Sequence, residues 1–230
     1  MNMSEPSTSR LYDLWAWMYD WTFGALVRAR QSRAIQQLHP LAGERVLDMG
    51  VGTGLMLNEY RPDITVVGLD ISAGMLSKAA EKCVENGLTH CRLVRADAML
   101  PPFADHSFDH IMISHTISVV SDPAKLMAWA TRLLKPGGRI VLLNHFQSTW
   151  PVAAWVERVL NPMFVKIGWR SDLALEDVLR GADLDVEYCF KMRLIDVWRI
   201  VVLRRKGEVP PAQTAPVEQP AKRLALHLAR

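Results

Sequence analysis

Seven residues, Asp48-Met49-Gly50-Val51-Gly52-Thr53-Gly54, place an acid and three alternate glycines directly after the apolar pair Val46-Leu47. A strand that enters such a stretch must turn sharply, and glycine lets a ligand approach the main chain closely. The stretch therefore points to an open α/β sheet with a ligand at the carboxyl ends of its strands. The dinucleotide fingerprint G-x-G-x-x-G needs glycine at position 55, where Leu55 stands. That disfavours a nicotinamide-linked oxidoreductase. A plain packing turn is the other reading of such glycines.

The rest of the chain alternates. Helix is expected over 11–37, strand over 45–49, helix over 54–60, strand over 64–69 and helix over 73–86. Strands follow at 91–95 and 108–114, then helix at 122–134 and strand at 139–144. Helices near 150–160 and 172–181 lead to strands at 184–190 and 196–204. Alternation of this kind argues a mostly parallel sheet with helices on both faces. The last two strands have too short a link for a crossover helix, so they form an antiparallel edge hairpin. Leu134-Lys135-Pro136-Gly137-Gly138 reads as a helix stop and turn.

Two further acids extend the first signal. Asp70 ends the second strand, about 20 residues after the glycines, where a carboxylate can accept from ribose hydroxyls. Ser72 can cap the following helix, which frees Asp70 from that duty. Asp97 follows the third strand and can accept from an adenine amino group.

Over roughly 45–203 the chain resembles the class I S-adenosylmethionine (SAM)-dependent methyltransferases. The matching pieces are VLDMGVGTG, VVGLDIS, RADAMLPPFADHSFDHI and LKPGGRIVLLNHF. More narrowly it resembles the bacterial phosphatidylethanolamine N-methyltransferases. That likeness rests on WMYDWTFG, the glycine run into Leu55, Asn144-His145-Phe146 and Gly168-Trp169-Arg170. The resemblance implies a Rossmann-like methyltransferase fold, α/β with a seven-stranded sheet and an N-terminal lid helix. It implies SAM as cofactor and S-adenosylhomocysteine as product. Its expected cofactor contacts are Tyr19, Asp48, Gly50, Gly52, Thr53, Asp70, Ile71, Asp97, Ala98, Met99, Ser114 and His115.

Composition bounds the alternatives. With 230 residues, half of them hydrophobic, and a net charge of only +3, one globular domain is the default and a nucleic-acid partner is not announced. Leu100-Pro101-Pro102-Phe103 superficially resembles the proline motif of nucleic-acid amine methyltransferases, but it follows the third strand, not the fourth. Cys83, Cys91 and Cys189 are widely spaced, suggest a reducing cytoplasm and form no metal-ligand pattern. No signal peptide and no run of 18 apolar residues is seen. The expected organisation is a helical lid and membrane-surface segment over 1–40, the SAM domain over 41–206, and a Pro- and Gln-rich linker with a basic tail over 207–230.

The first segment is unusually aromatic. Trp15, Trp17 and Trp21 are three of the eight tryptophans, and indole favours the membrane–water interface. Arg28, Arg30 and Arg33 can meet anionic headgroups at about 1 kcal/mol each. A lid packed on the cofactor is the alternative and is compatible with it, since one helix has two faces.

For the acceptor, the resemblance implies a lipid amine at the cytoplasmic face of the membrane. An amine with a pKa of about 10 must lose its proton before it attacks. Tyr19 offers a ring face for a growing ammonium and a hydroxyl. Asn144 and His145 end the fifth strand, and His145 competes with His115 as proton acceptor. Arg170 suits the lipid phosphate. Tyr188 is a substrate contact or simply a sheet residue. A methyltransferase for a quinone precursor or other small molecule, and a SAM-binding module without turnover, remain the alternatives.

Overall fold

The computed structural model describes residues 24–146, 159, 173–192, 196 and 198–208. Its first helix, α1, is Gly24–Gln36. Then come β1 Arg45–Met49, β2 Thr65–Asp70, α2 Ala73–Glu85, β3 Cys91–Arg95 and β4 Phe108–Ser114. The chain continues through α3 Pro123–Leu133, β5 Leu134–His145, the short α4 Leu175–Val178, β6 Leu184–Phe190 and β7 Trp198–Arg205.

The seven strands are ordered β3-β2-β1-β4-β5-β7-β6. β1 to β5 pair in parallel, while β7 runs antiparallel to both β5 and β6. The expected antiparallel hairpin is thus present, with β7 inserted against β5 and β6 at the edge. The strand sequences are nearly continuous apolar runs because both faces are covered. One face packs Leu47, Ile111, Ile140 and Leu142 against Leu126, Met127 and Leu133 of α3. The other packs Val46, Met112, Val141 and Leu143 against Ala34 and Ile35 of α1, Leu38 just beyond it, and Ala79 of α2. Each fully buried aliphatic contributes about 1.5–3 kcal/mol.

Local signals explain the element ends. Ser72 caps α2 by accepting from Met75 N, and Asp122 caps α3 by accepting from Lys125 N. Two expectations need correction. The helix over 54–60 is only a 3₁₀ turn at Leu57–Glu59, with Tyr60 already extended. Pro62 disfavours a helical residue before it, which leaves too little chain for an α-helix. Leu134-Lys135-Pro136-Gly137-Gly138 is not outside the sheet. It opens β5, with a register shift opposite Phe108/His110 and Gly137 at φ +79°.

Candidate active site

The glycine loop leaves β1 with Gly50, Gly52 and Gly54 all at positive φ. Gly50 N and Val51 N both donate to Leu69 O, which pins the loop to the end of β2. A Cβ on Gly50 would lie 2.0 Å from Thr116 Oγ1. That hydroxyl donates to Met49 O at 2.9 Å, so it cannot swing away cheaply. Thr53 accepts from Lys82 Nζ of α2 at 3.3 Å.

Asp70 sits at this junction. One oxygen accepts from Gly52 N and the other from Ser72 N, each at 2.9 Å. It therefore braces the loop, and each oxygen keeps a second lone pair for a ligand hydroxyl. The neighbouring strand end is tied on by Ala96 N to Asp70 O and by Arg95 Nε to Ile71 O. Ile71 is 64% exposed beside it. Asp97 accepts from Met99 N at 2.8 Å, and Ala98 is buried beneath.

Asp48 is buried beside this loop, and its carboxyl accepts from Tyr60 Oη at 2.9 Å. Burial pushes its pKa up to about 7, with nearby Asp70 adding to the rise and the Tyr60 hydrogen bond opposing it. The cleft between the ends of β1 and β4 is lined by Asp48, Gly50, Tyr60, Ser114 and, from α1, Gln31. Gln31 Nε2 donates to Ser114 Oγ at 3.1 Å.

His115 follows β4 in the left-handed conformation, φ 60°. Its ring meets Trp198 edge to face at 6.2 Å. Burial, reinforced by the Arg30 charge, lowers its pKa to about 4. It is therefore neutral at pH 7, able to accept a hydrogen bond but a weak holder of a proton. Nε2 is buried with no partner.

The structure separates residues the sequence grouped. Strand alternation turns Asn144 toward the α3 side and His145 toward the α1 side, as their neighbours Leu142 and Leu143 divide. Asn144 Nδ2 donates to His145 O at 2.7 Å, so the two do not converge on the cleft. Tyr188 is directed away from it, and its hydroxyl donates to Gln37 Oε1 at 3.0 Å.

Arg30 is a correction. Its side chain is only 12% exposed and pairs with Asp196 at 2.8 Å, over the Trp198 ring at 4.7 Å. It is committed internally, because turning it to a membrane would strand a buried carboxylate. Arg28, half exposed, lies 3.6 Å from Glu59. Arg33 donates to Gln36 Oε1 at 3.1 Å. Tyr19, Arg170, Trp15, Trp17 and Trp21 lie outside the described residues.

Gln31, Tyr60, Thr116 and Asp196 were not singled out from sequence. None belongs to a motif. Their roles arise from partners such as Ser114 for Gln31, 83 positions away, and Arg30 for Asp196, 166 away.

The arrangement fits an adenosyl cofactor. It offers a loop of three glycines held at positive φ, an acid at the end of β2 with spare lone pairs, and a buried acid in the cleft. Among the described residues no His/Cys/Asp/Glu group that would hold a metal ion occurs. Nor is any described helix long and apolar enough to cross a membrane.

Comparison with known proteins agrees. A methyltransferase domain family matches residues 47–142. A phosphatidylethanolamine N-methyltransferase of Cereibacter sphaeroides is 37% identical over 186 residues, covering 80% of this chain and 90% of that one. A demethylmenaquinone methyltransferase of Thermus thermophilus is 39% identical over 126 residues, 54% of this chain and 56% of its own. The crystal structure of the YcgJ protein of Bacillus subtilis superposes with a TM-score of 0.62 at 25% identity, covering 70% of this chain and 72% of that one.

Proposed function

The chain belongs to the class I SAM-dependent methyltransferases, and within them we propose that it methylates the amine of phosphatidylethanolamine stepwise toward phosphatidylcholine. The observation that carries this reading is the length of the likeness. The match to the phosphatidylethanolamine enzyme runs 186 residues and 90% of that relative, against 126 residues and 56% for the quinone-type relative. The longer match takes in more than a cofactor-binding half that any acceptor class needs.

SAM, when bound, supplies a methyl group made electrophilic by its sulfonium. The chain's own task is to hold it and to present an unprotonated amine. Gly50 and Gly52 give backbone access, Asp70 takes the ribose, and Asp97 with Ile71, Ala98 and Met99 takes the adenine. His115, neutral in its pocket, orients an amine by accepting an N–H and leaves the proton to solvent. Tyr19 gives the ammonium a ring face, and Arg170 takes the lipid phosphate. Segment 1–40 acts as lid and membrane-surface segment, with Trp15, Trp17 and Trp21 in the interface and Arg28 and Arg33 toward anionic headgroups. The enzyme then works as a peripheral protein on the cytoplasmic face of the membrane, with 207–230 as a linker and basic tail.

Labelled SAM, offered with vesicles of phosphatidylethanolamine and phosphatidylglycerol and with demethylmenaquinone, tests the acceptor. Label in mono-, di- and trimethylated phosphatidylethanolamine is expected. Label confined to the quinone would replace this reading with the small-molecule one. Flotation with anionic vesicles should weaken as salt rises; equal flotation with neutral vesicles would leave the N-terminal segment as a lid alone.

A further inference from the structure

The cleft beneath α1 contains a buried carbonyl with no hydrogen-bond partner and a buried carboxyl that, among the described residues, has no ion pair. Asp48 is 4% exposed, and among the described residues its carboxyl has a hydrogen bond from Tyr60 but no ion pair with a cation. Burying a carboxylate without a cation is costly. Gln31 is 8% exposed, and while its Nε2 donates to Ser114, its Oε1 is buried with no partner. A buried carbonyl left without a donor is likewise unfavourable. Both side chains line the same cleft; Gln31 lacks a donor there and Asp48, among the described residues, lacks a cation.

We infer that Gln31, contributed by α1, accepts an N–H from a ligand ammonium group that Asp48, already an expected cofactor contact, also faces. Two sources offer that chemistry: the amino-acid end of the cofactor and the ethanolamine headgroup. The position favours the cofactor. Asp70 marks the ribose at the end of β2, and the strand order β2-β1-β4 carries the cleft away from it. The amino-acid arm of a nucleoside seated there reaches the ends of β1 and β4. Gln31 is then a cofactor-binding residue contributed by α1 and not by the sheet, and cofactor binding fastens that helix onto the domain. The cofactor branch does not depend on the identity of the acceptor; only the headgroup branch rests on the lipid reading.

Calorimetry with wild type, Gln31→Met and Gln31→Glu decides it. Methionine keeps the volume of the side chain and removes its polar atoms; glutamate keeps an oxygen in place. The probes are S-adenosylhomocysteine, 5′-methylthioadenosine, which lacks the amino-acid arm, and phosphoethanolamine. For the cofactor source, Gln31→Met should weaken S-adenosylhomocysteine about 10-fold, the scale of one hydrogen bond to a charged group. It should leave 5′-methylthioadenosine unchanged, and Gln31→Glu should restore most of the loss. For the headgroup source, only phosphoethanolamine should weaken. Equal loss of both nucleosides, no change in any ligand, or a Gln31→Glu protein as weak as Gln31→Met at an unchanged melting temperature would overturn the assignment. Because the nucleoside arms need no lipid, a failure of the lipid reading in the labelled assay is seen separately.

Discussion

Gln31 and Gln37 are six positions apart and equally buried, at 8% and 7% exposure, yet the fold treats them differently. Gln37 is saturated: Oε1 accepts from Tyr188, Nε2 donates to Arg33 O, and its backbone oxygen accepts from Arg139 at 3.4 Å. Around it Arg139 and Arg204 both grip Glu187, and Arg204 also donates to Gly137 O. At the cleft, Gln31 keeps one oxygen without a donor and Asp48 has no cation among the described residues. Both regions bury polar groups under the same face of the sheet. The lower one closes its hydrogen bonds internally and serves stability. The upper one leaves them open, as the proposed ligand site requires.

The largest effect should come from breaking the closed region. Glu187→Ala would leave two nearly inaccessible guanidinium groups without their carboxylate, at about 3–5 kcal/mol. Urea unfolding should show that loss, while S-adenosylhomocysteine affinity of the folded fraction stays at the wild-type value. If affinity fell in step, the two regions would not be independent.

Next is Gly50→Ala at the open region. It adds left-handed strain of about 1–2 kcal/mol to a contact with Thr116 that must be relieved. Cofactor affinity should fall at least 10-fold; wild-type affinity would show that the loop has another resting place.

Asp70→Ala removes the proposed ribose acceptor and frees Gly52 N and Ser72 N, for an expected loss of about 1–3 kcal/mol in cofactor binding. Asp70→Asn should fall between, because its amide can replace one acceptor but not both. Equal affinities in all three proteins would take Asp70 out of the site.

The last test is a slope with pH. The native Asp48 carboxyl keeps its proton up to about pH 7, while the unfolded one releases it near 3.8. Between those values the native state binds the extra proton. Stability of the ligand-free protein should therefore fall as pH rises through that window, by up to about 1.4 kcal/mol per unit. S-adenosylhomocysteine affinity should rise over the same range, because the ionised carboxylate is the better ammonium partner. Asp48→Asn should flatten both curves, and melts and titrations from pH 5 to 8 would reveal a slope that persists.

How much of this was legible in sequence follows from the range of each interaction. The sheet could be read because its strands are apolar runs closed by local signals, Gly50 to Gly54, Ser72 and Asp122. The acidic edge of the sheet could be read because Asp48, Asp70 and Asp97 each stand at or just after a strand end. The 54–60 helix failed because a short apolar stretch before Pro62 looks helical in periodicity but has no room for turns. Asn144 and His145 read as a pair, since adjacency in sequence conceals that a strand sends neighbours to opposite faces. Arg30 read as a surface cation because its partner, Asp196, lies 166 positions away in the chain. Gln31 gave no signal at all: a lone glutamine on a helix means nothing until Ser114 and Asp48 are folded beneath it.

The contact between Arg30 and Asp196 also bears on the order in which the chain is made. Residues near the start of α1 are fastened by a residue that leaves the ribosome 166 positions later. β5 likewise awaits β7, its neighbour on one side. A growing chain can complete the glycine loop and β1 to β4 early, since domains tend to fold from the N-terminal side. Its first described helix still has to wait for the last strand before it is locked down. During synthesis the part of the cleft built by the glycine loop and β1 to β4 is therefore assembled first, and the wall that α1 supplies is added at the end.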